Sequence, residues 1–331
     1  MNERTIIIDG ADPQIFYGVN NNNISLIRNL FPKLRMAARG NVIKVIGEEG
    51  ETADFEQKIK QLEAYASQYN KLPEEVIIDV IKGDAPKRVD PEGAIIYTTT
   101  GRPVIPRNAN QARMVKSFAE NDLTFALGPA GTGKTYIAIA LAVAALKNKA
   151  CKRIILSRPA VEAGEKLGFL PGDMKDKIDP YLRPLYDALE DMLPALKLKE
   201  YMEADTIQIA PLAFMRGRTL NDAVIILDEA QNTTKHQMKM FLTRLGVNGK
   251  MIVTGDCSQI DLPRTVQSGL LQALKILRGV KGIGMIEYEK KDIVRHPLVQ
   301  RIVDAYEHRE KKVDEEFAAR LTDSEPNETE I

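Results

Sequence analysis

The stretch "GPAGTGKT", Gly128 to Thr135, opens directly into the most apolar run of the chain, Tyr136 to Leu146. Three glycines in eight residues cost backbone entropy at the mouth of a helix, and a segment that served only to fold would gain nothing by it. The stretch satisfies G-x-x-x-x-G-K-[ST] with Gly128, Gly133, Lys134 and Thr135, and the apolar Leu123 to Leu127 precedes it. Strand, loop and helix therefore stand in the order a phosphate-binding loop requires. Glycines let backbone N–H groups turn toward phosphate oxygens, and the helix N-terminus adds its positive end. Gly128, Pro129, Ala130, Gly131, Thr132 and Gly133 form the expected cradle. Lys134 would reach the β- and γ-phosphates and Thr135 would ligate magnesium.

Further apolar runs follow the same grammar. Arg153 to Ser157, Ile207 to Ala210, Val224 to Leu227, Met251 to Thr254 and Met285 to Tyr288 read as strands, with helical patterns between most of them. That texture predicts an α/β fold with a mostly parallel sheet and helices on both faces, with ligands at the carboxyl ends of the strands. "VIILDEAQ", 224 to 231, would deliver Asp228 to the magnesium shell and place Glu229 to polarise an attacking water. "IVTGDCSQID", 252 to 261, offers Gln259 as an uncharged group for the γ-phosphate or the water. An N-K-x-D guanine reader is missing, since "NKLP" at 70 and "NKAC" at 148 both lack the aspartate. Adenine is the expected base, and Gln111, 17 residues before Gly128, carries an amide able to read its N6 and N7 together. ATP and Mg2+ are the expected ligands.

Residues 1–82 have a different texture. A strand at 4–8, a helix begun by Asp12-Pro13 and ending near Gly18, and a second helix through Ile24, Ile27, Phe31 and Leu34 come first. Two short strands around Arg39-Gly40-Asn41 follow, then a long amphipathic helix from Thr52 and another at "PEEVIIDVI". This order resembles a KH module, a small α+β domain whose G-x-x-G loop clamps a nucleic-acid backbone. The loop here is "GVNN", with Asn21 where the second glycine would stand, a residue that tolerates a left-handed backbone. The same fold would also serve as a plain assembly surface. Four prolines and three glycines in 83–108, with "AIIY" able to form a hairpin, mark a linker between this domain and the ATPase-like region, 109–309.

Composition sets limits on the whole. The chain has 331 residues, 44% hydrophobic and 28% charged, with a net charge of zero, the balance of a globular protein. Residues 310–331 hold eight acids against three bases and read as a solvated, disordered tail. Two cysteines suggest no disulfide framework, and the longest apolar run is too short to span a bilayer. A cytoplasmic protein with no membrane association is expected. His236, His296 and His308 lack metal-ligand spacing and read as structural or surface residues.

The runs "SRPAVEAGEKLGFLPGDMKDKIDPYLRPLYDAL" (157–189), "APLAFMRGRTL" (210–220), "DEAQNTT", "MKMFLTRLG" and "DIVRHPLVQRIVDAYE" resemble the PhoH family of bacterial P-loop ATPases over about 105–308. The family is related to the RecA-like nucleotide-binding half of superfamily 1 helicases. Gln111, Asp228 to Gln231, and Gly255-Asp256 with Gln259 fill the positions of their Q motif, D-E-x-Q and G-D-x-x-Q. The resemblance implies ATP hydrolysis, RNA-linked work, and a functional link with the endoribonuclease YbeY in ribosomal RNA maturation.

Those helicases carry two lobes, and the second inserts an arginine against the transition state, whereas this chain has one P-loop. An arginine supplied in trans is worth ~10³ to 10⁵ in rate, so a homo-oligomer with sites at subunit boundaries, a ring of six, is expected. Arg295 in "DIVRHP" and Arg244 in "LTRLG" are the arginine candidates. Arg158, Lys166, Lys175 and Lys177 in the long segment 158–189 could contact RNA phosphates, with neighbouring acids opposing. The leading expectation is a magnesium-dependent ATPase coupled to RNA remodelling, up to an RNA helicase. The alternative is a nucleotide-gated ring that recruits a nuclease without unwinding of its own.

Overall fold

The structure is a computed structural model that describes residues 2–83, 93–159, 174–263 and 265–294, with 298–299, 301–303, 305–306 and 309 beyond them; for 174–180 it describes the backbone alone. The tail, Arg295, His296, His308 and Lys166 lie outside the described residues, as do the side chains of Lys175 and Lys177.

The amino-terminal region runs β1 (Asn2–Ile7), α1 (Pro13–Tyr17), α2 (Asn22–Leu30), β2 (Arg35–Arg39), β3 (Val42–Gly47), α3 (Glu49–Tyr69) and α4 (Glu74–Lys82). Its sheet has the order β1-β3-β2 with both ladders antiparallel. The sequence of elements is that expected of the KH module. Asp12 caps α1 by accepting from the Gln14 amide, and Pro13 occupies the first turn, where its missing N–H costs nothing. Phe16, Ile27, Ile43, Phe55, Ile59 and Leu62 close one apolar core beneath the helices. Between α1 and α2 the chain turns with positive φ at Gly18, Asn20 and Asn21, so asparagine does adopt the left-handed backbone there.

A two-stranded ribbon, β4 (Ile96–Tyr97) and β5 (Pro103–Val104), connects to α5 (Ala109–Glu120). The carboxyl-terminal region then alternates strand and helix. Its elements are β6 (Leu123–Leu127), α6 (Lys134–Lys147), β7 (Arg153–Ser157), α7 (Met174–Met192), α8 (Ala195–Glu203), β8 (Ile207–Ile209), β9 (Ala223–Leu227), α9 (Lys235–Leu242), β10 (Lys250–Gly255), α10 (Gly269–Leu277) and β11 (Ile283–Glu287). The six strands form one sheet in the order β11-β6-β10-β9-β7-β8, and all five ladders are parallel. This is the RecA-like α/β architecture. Alternate residues of each strand serve opposite cores: Val224 and Ile226 of β9 pack with α6 and α7, and Ala223, Ile225 and Leu227 with α9 and α10. Apolar on every side, α6 is buried from Ile137 to Val143 between the sheet and its helical neighbours.

One segment departs from the sequence reading. The stretch 158–189 reads as a long, proline-marked connection, yet its second half is helical, and α7 runs through Pro180 and Pro184 to Met192. A proline inside a helix costs ~3 kcal/mol. Leu182, Leu185, Ala188, Leu189 and Met192 are buried against the α6 side of the sheet, and each leucine contributes about 1.5–3 kcal/mol by burial. Packing outweighs the local penalty. No helix among the described residues is long and apolar enough to cross a membrane.

Candidate functional site: the carboxyl edge of the parallel sheet

Because every strand of the large sheet runs the same way, the loops after β6, β7, β9 and β10 emerge along one edge. In register, Leu127 pairs with Gly255, and Leu227 with both Val253 and Ser157. Segments far apart in sequence thus meet above the sheet.

The glycine-rich loop wraps with φ of 140° at Gly128, 83° at Gly131 and 79° at Gly133. A Cβ at Gly128 would lie 2.5 Å from the Tyr288 carbonyl, and one at Gly133 would lie 2.8 Å from Gln111 Nε2. Both positions therefore require glycine for the backbone angle and for the close approach. Lys134 is buried, and its Nζ donates to the carbonyls of Gly128 at 2.6 Å and Pro129 at 2.7 Å. Burial holds its pKa below the usual lysine value, against the opposing pull of Asp256, Glu229 and Asp228. Thr135 Oγ1 donates to Asp228 Oδ1 at 2.6 Å, and Thr254 Oγ1 donates to the same oxygen at 2.6 Å.

Glu229, directly after the β9 carboxylate, has φ 51° and ψ 40°. A non-glycine residue in this region stores strain that surrounding contacts must hold. Gln231 supplies one: its Nε2 donates to Glu229 Oε2 at 2.5 Å and to the Gln259 carbonyl at 3.1 Å, while its Oε1 accepts from the Asp256 amide at 3.0 Å. Arg158, the first residue after β7, lies on the other side, 3.6 Å from Glu229 Oε1 and 3.8 Å from Asp228 Oδ2. Asp256 Oδ1 accepts from Ser258, whereas its buried Oδ2 receives no hydrogen bond among the described residues.

Two cavities adjoin at Gly131, Gly133, Tyr136 and Asp191. One, about 630 Å³, is lined by Lys134, Thr135, Arg158, Asp228, Glu229 and Gln259 among others. The other, about 580 Å³, lies between the β4–β5 ribbon and α6, with Arg102, Ile105, Arg107, Gln111 and Tyr136 in its wall. Tyr136 donates to Asp191 at 2.5 Å, and burial, reinforced by that carboxylate, raises its pKa.

The structure therefore brings Lys134, Thr135, Asp228, Glu229 and Gln259 around one cavity and Gln111 beside the next. Gln111 is buried, and its amide is engaged at both ends: Oε1 accepts from the Arg107 amide at 2.7 Å and Nε2 donates to the Thr132 carbonyl at 2.9 Å. One lone pair and one N–H remain for a base. Arg244 lines neither cavity. Its guanidinium donates to the carbonyls of Met240 and Arg218 and to the Thr243 hydroxyl, closing the end of α9. His236 is exposed on α9. Sequence reasoning places Gln231 in the D-E-x-Q motif by resemblance without giving it a role, and reads Arg158 as an RNA contact. For Arg158 the available signal is its place at a strand's carboxyl end.

The donor set suits a hard divalent ion bound together with phosphate. A hydroxyl and a carboxylate meet at Thr135–Asp228, and Asp256, whose Oδ2 receives no hydrogen bond among the described residues, lines the same cavity. No group of three or more His, Cys, Asp or Glu side chains suited to a metal occurs among the described residues, so such an ion would share its shell with the nucleotide.

Comparison with known proteins assigns the chain to a family. The family model "PhoH-like protein" matches residues 103–307. The PhoH-like protein of Bacillus subtilis (strain 168) is 50% identical over 279 residues, 83% of this chain and 88% of that one. Its counterpart in Mycobacterium tuberculosis (strain ATCC 25618 / H37Rv) is 50% identical over 274 residues, 81% and 77% of the two chains. Protein PhoH of Escherichia coli (strain K12) is 48% identical over 206 residues, 62% and 58%. Among solved structures, the Pif1 helicase from Candida albicans aligns over 61% of this chain and 43% of its own at a TM-score of 0.32 and 17% identity. The large terminase of a thermophilic bacteriophage aligns over 59% and 49% at 0.36 and 11%. Alignments at such scores carry no weight for the fold, which rests on the strand order itself. On the extent and identity of the sequence matches, this chain belongs to the PhoH family.

Proposed function

We propose that the chain binds ATP with magnesium at the carboxyl edge of the large sheet, hydrolyses it, and couples the hydrolysis to RNA remodelling or processing. The observation that carries this reading is the meeting of Lys134 and Thr135 with Asp228 and Glu229 around one cavity. The adenine would enter the cavity walled by Gln111 and Tyr136, and the phosphates would lie along the loop amides and Lys134. A magnesium ion held by Thr135 and Asp228 would neutralise charge developing on the phosphates. Glu229, with Gln259 nearby, would orient a water and take its proton.

RNA as partner draws support from the amino-terminal region. Its α1–α2 turn borders a groove of about 920 Å³ lined by Gln14, Val19, Asn20, Asn21, Ser25 and Arg28 among others, with Val19 80% exposed. A homo-oligomeric ring, with an arginine delivered in trans, would complete the catalytic set. Arg244 is occupied by backbone carbonyls, which leaves Arg295 as the favoured donor. The work would be cytoplasmic, alongside an endoribonuclease of the YbeY type.

The test is ATP turnover with magnesium, with and without single-stranded RNA at low salt, alongside native mass with and without ATP. RNA-stimulated turnover by an oligomer is expected. Turnover that ignores RNA and rises only with the nuclease partner would favour the nucleotide-gated ring instead. Absence of saturable ATP binding would end both.

A further inference from the structure

Arg158 links three elements: β7, the turn after β9, and α7. Its backbone continues β7, and its guanidinium faces the two carboxylates that follow β9, Asp228 at 3.8 Å and Glu229 at 3.6 Å. The Nη1 that faces Asp228 also donates to the Tyr181 carbonyl of α7 at 3.1 Å. Its side chain is 21% exposed, so the charge is partly removed from water and its orientation is fixed by those partners. Lys134 and Arg158 are the two cations in the wall of this cavity among the described residues.

Glu229 needs such a partner. Its left-handed backbone gives the side chain an uncommon direction, and two contacts hold the carboxylate, Gln231 Nε2 on one oxygen and Arg158 on the other. Gln231 is pinned by Asp256 and Gln259, both on the β10 side. Arg158 is the contact that leads away from the sheet, into α7. A guanidinium presents its donors in a rigid planar fork, so movement of the Tyr181 carbonyl would turn the fork and shift the Glu229 oxygen it faces.

We propose that Arg158 is a positioning residue that couples α7 to the water-activating carboxylate: anchored by the Tyr181 carbonyl, it sets the orientation of Glu229 in the phosphate cavity. The inference rests on the hydrolytic reading of the site. It assigns to α7, the helix that closes the cavity through Pro184, Asp187 and Ala188, control over the chemical step and not over nucleotide affinity.

A double-mutant cycle tests it, using the full chain with Arg158→Gln, Arg158→Lys, Glu229→Gln and the Arg158→Gln/Glu229→Gln pair. Steady-state hydrolysis is read together with equilibrium binding of a fluorescent methylanthraniloyl-ATP and magnesium. Arg158→Gln should lower kcat by roughly 10- to 100-fold, with KM and analogue affinity within about threefold of wild type. Arg158→Lys, which keeps the charge and loses the fork, should fall between the two. In the pair, the loss should be no greater than in Glu229→Gln alone, because a residue that acts through Glu229 has nothing left to position.

An unchanged kcat in Arg158→Gln would overturn the proposal. So would a loss confined to KM and analogue affinity, the mark of a direct phosphate contact, or losses that multiply in the pair. If Arg158→Gln fails to fold, Arg158→Lys and its pair with Glu229→Gln decide by the same criteria. Absence of hydrolysis by the wild type would instead refute the hydrolytic reading, and unslowed hydrolysis in Glu229→Gln would overturn the proposal by removing the group Arg158 is to position, so the two failures are distinguishable.

Discussion

The Thr135 hydroxyl and the Asp228 carboxylate, 93 residues apart in sequence, share a 2.6 Å hydrogen bond. Thr254 donates to the same oxygen, so Asp228 is held from two sides. Replacing it with asparagine keeps the size and removes the charge a divalent ion needs. For Asp228→Asn, the magnesium concentration that half-saturates turnover should rise by at least roughly 10-fold. A magnesium titration at fixed ATP checks this.

Lys134 donates to two loop carbonyls while burial disfavours its charge. A phosphate would supply the compensating anion, and a hydrogen bond to a charged group is worth about 1.5–3 kcal/mol. Lys134→Ala should therefore weaken ATP binding by roughly 10- to 100-fold. Fluorescent-analogue titration gives the affinity, and a thermal melt shows that the fold persists.

Gly128 combines a φ of 140° with a carbonyl 2.5 Å from where a Cβ would stand. Gly128→Ala should cost at least about 1–3 kcal/mol from backbone strain alone, and the Tyr288 backbone must also shift. Denaturant unfolding should show the loss together with weaker nucleotide binding.

Lys147 makes stability depend on pH. Burial lowers its pKa to about 8 from the ordinary 10.5. Below pH 8 the lysine is charged in folded and unfolded chains alike, and the folded chain carries the whole burial cost. Between pH 8 and 10.5 the unfolded chain binds the proton that the folded chain has released, so stability rises with pH; above 10.5 the cost is gone. The rise should reach at most about 3 kcal/mol. Unfolding free energies of wild type and Lys147→Met, compared from pH 7 to 10.5, isolate it, because the variant should lack this increment.

Asn70 ends α3 in a left-handed conformation and is buried. Its Nδ2 donates to the carbonyls of Tyr97 at 2.8 Å and Met192 at 3.2 Å, and its Oδ1 accepts from Lys147 Nζ at 3.0 Å. Asn70→Ala leaves those groups without this partner and should destabilise the chain by roughly 2–3 kcal/mol. Chemical denaturation would measure it.

The inner strands β6, β7, β9 and β10 were legible because each is a short apolar run buried on both faces, a local signal. The phosphate loop was legible because its glycines and lysine lie in eight consecutive residues. Pro180 and Pro184 obscured α7, since the leucines that hold it helical act through tertiary contacts, chiefly with α6. Arg158 and Gln231 take their places from register, which brings the ends of β7, β9 and β10 side by side. Gln111 is legible as an amide near the loop, but its partners, the Arg107 amide and the Thr132 carbonyl, follow from the packing of α5 under that loop.

With β10 lying between β6 and β9, the strands that carry the phosphate loop and the paired acids are two strand spacings apart, roughly 10 Å, and the loop crosses that interval to bring Thr135 against Asp228. The intervening strand acts as a spacer gauge: its alignment fixes where Thr254 meets Asp228 beneath the loop. A slip of one residue along β10 would turn Thr254 to the opposite face and leave Asp228 braced from one flank. Anyone rebuilding this sheet for another ligand would have to preserve that alignment before choosing a single side chain.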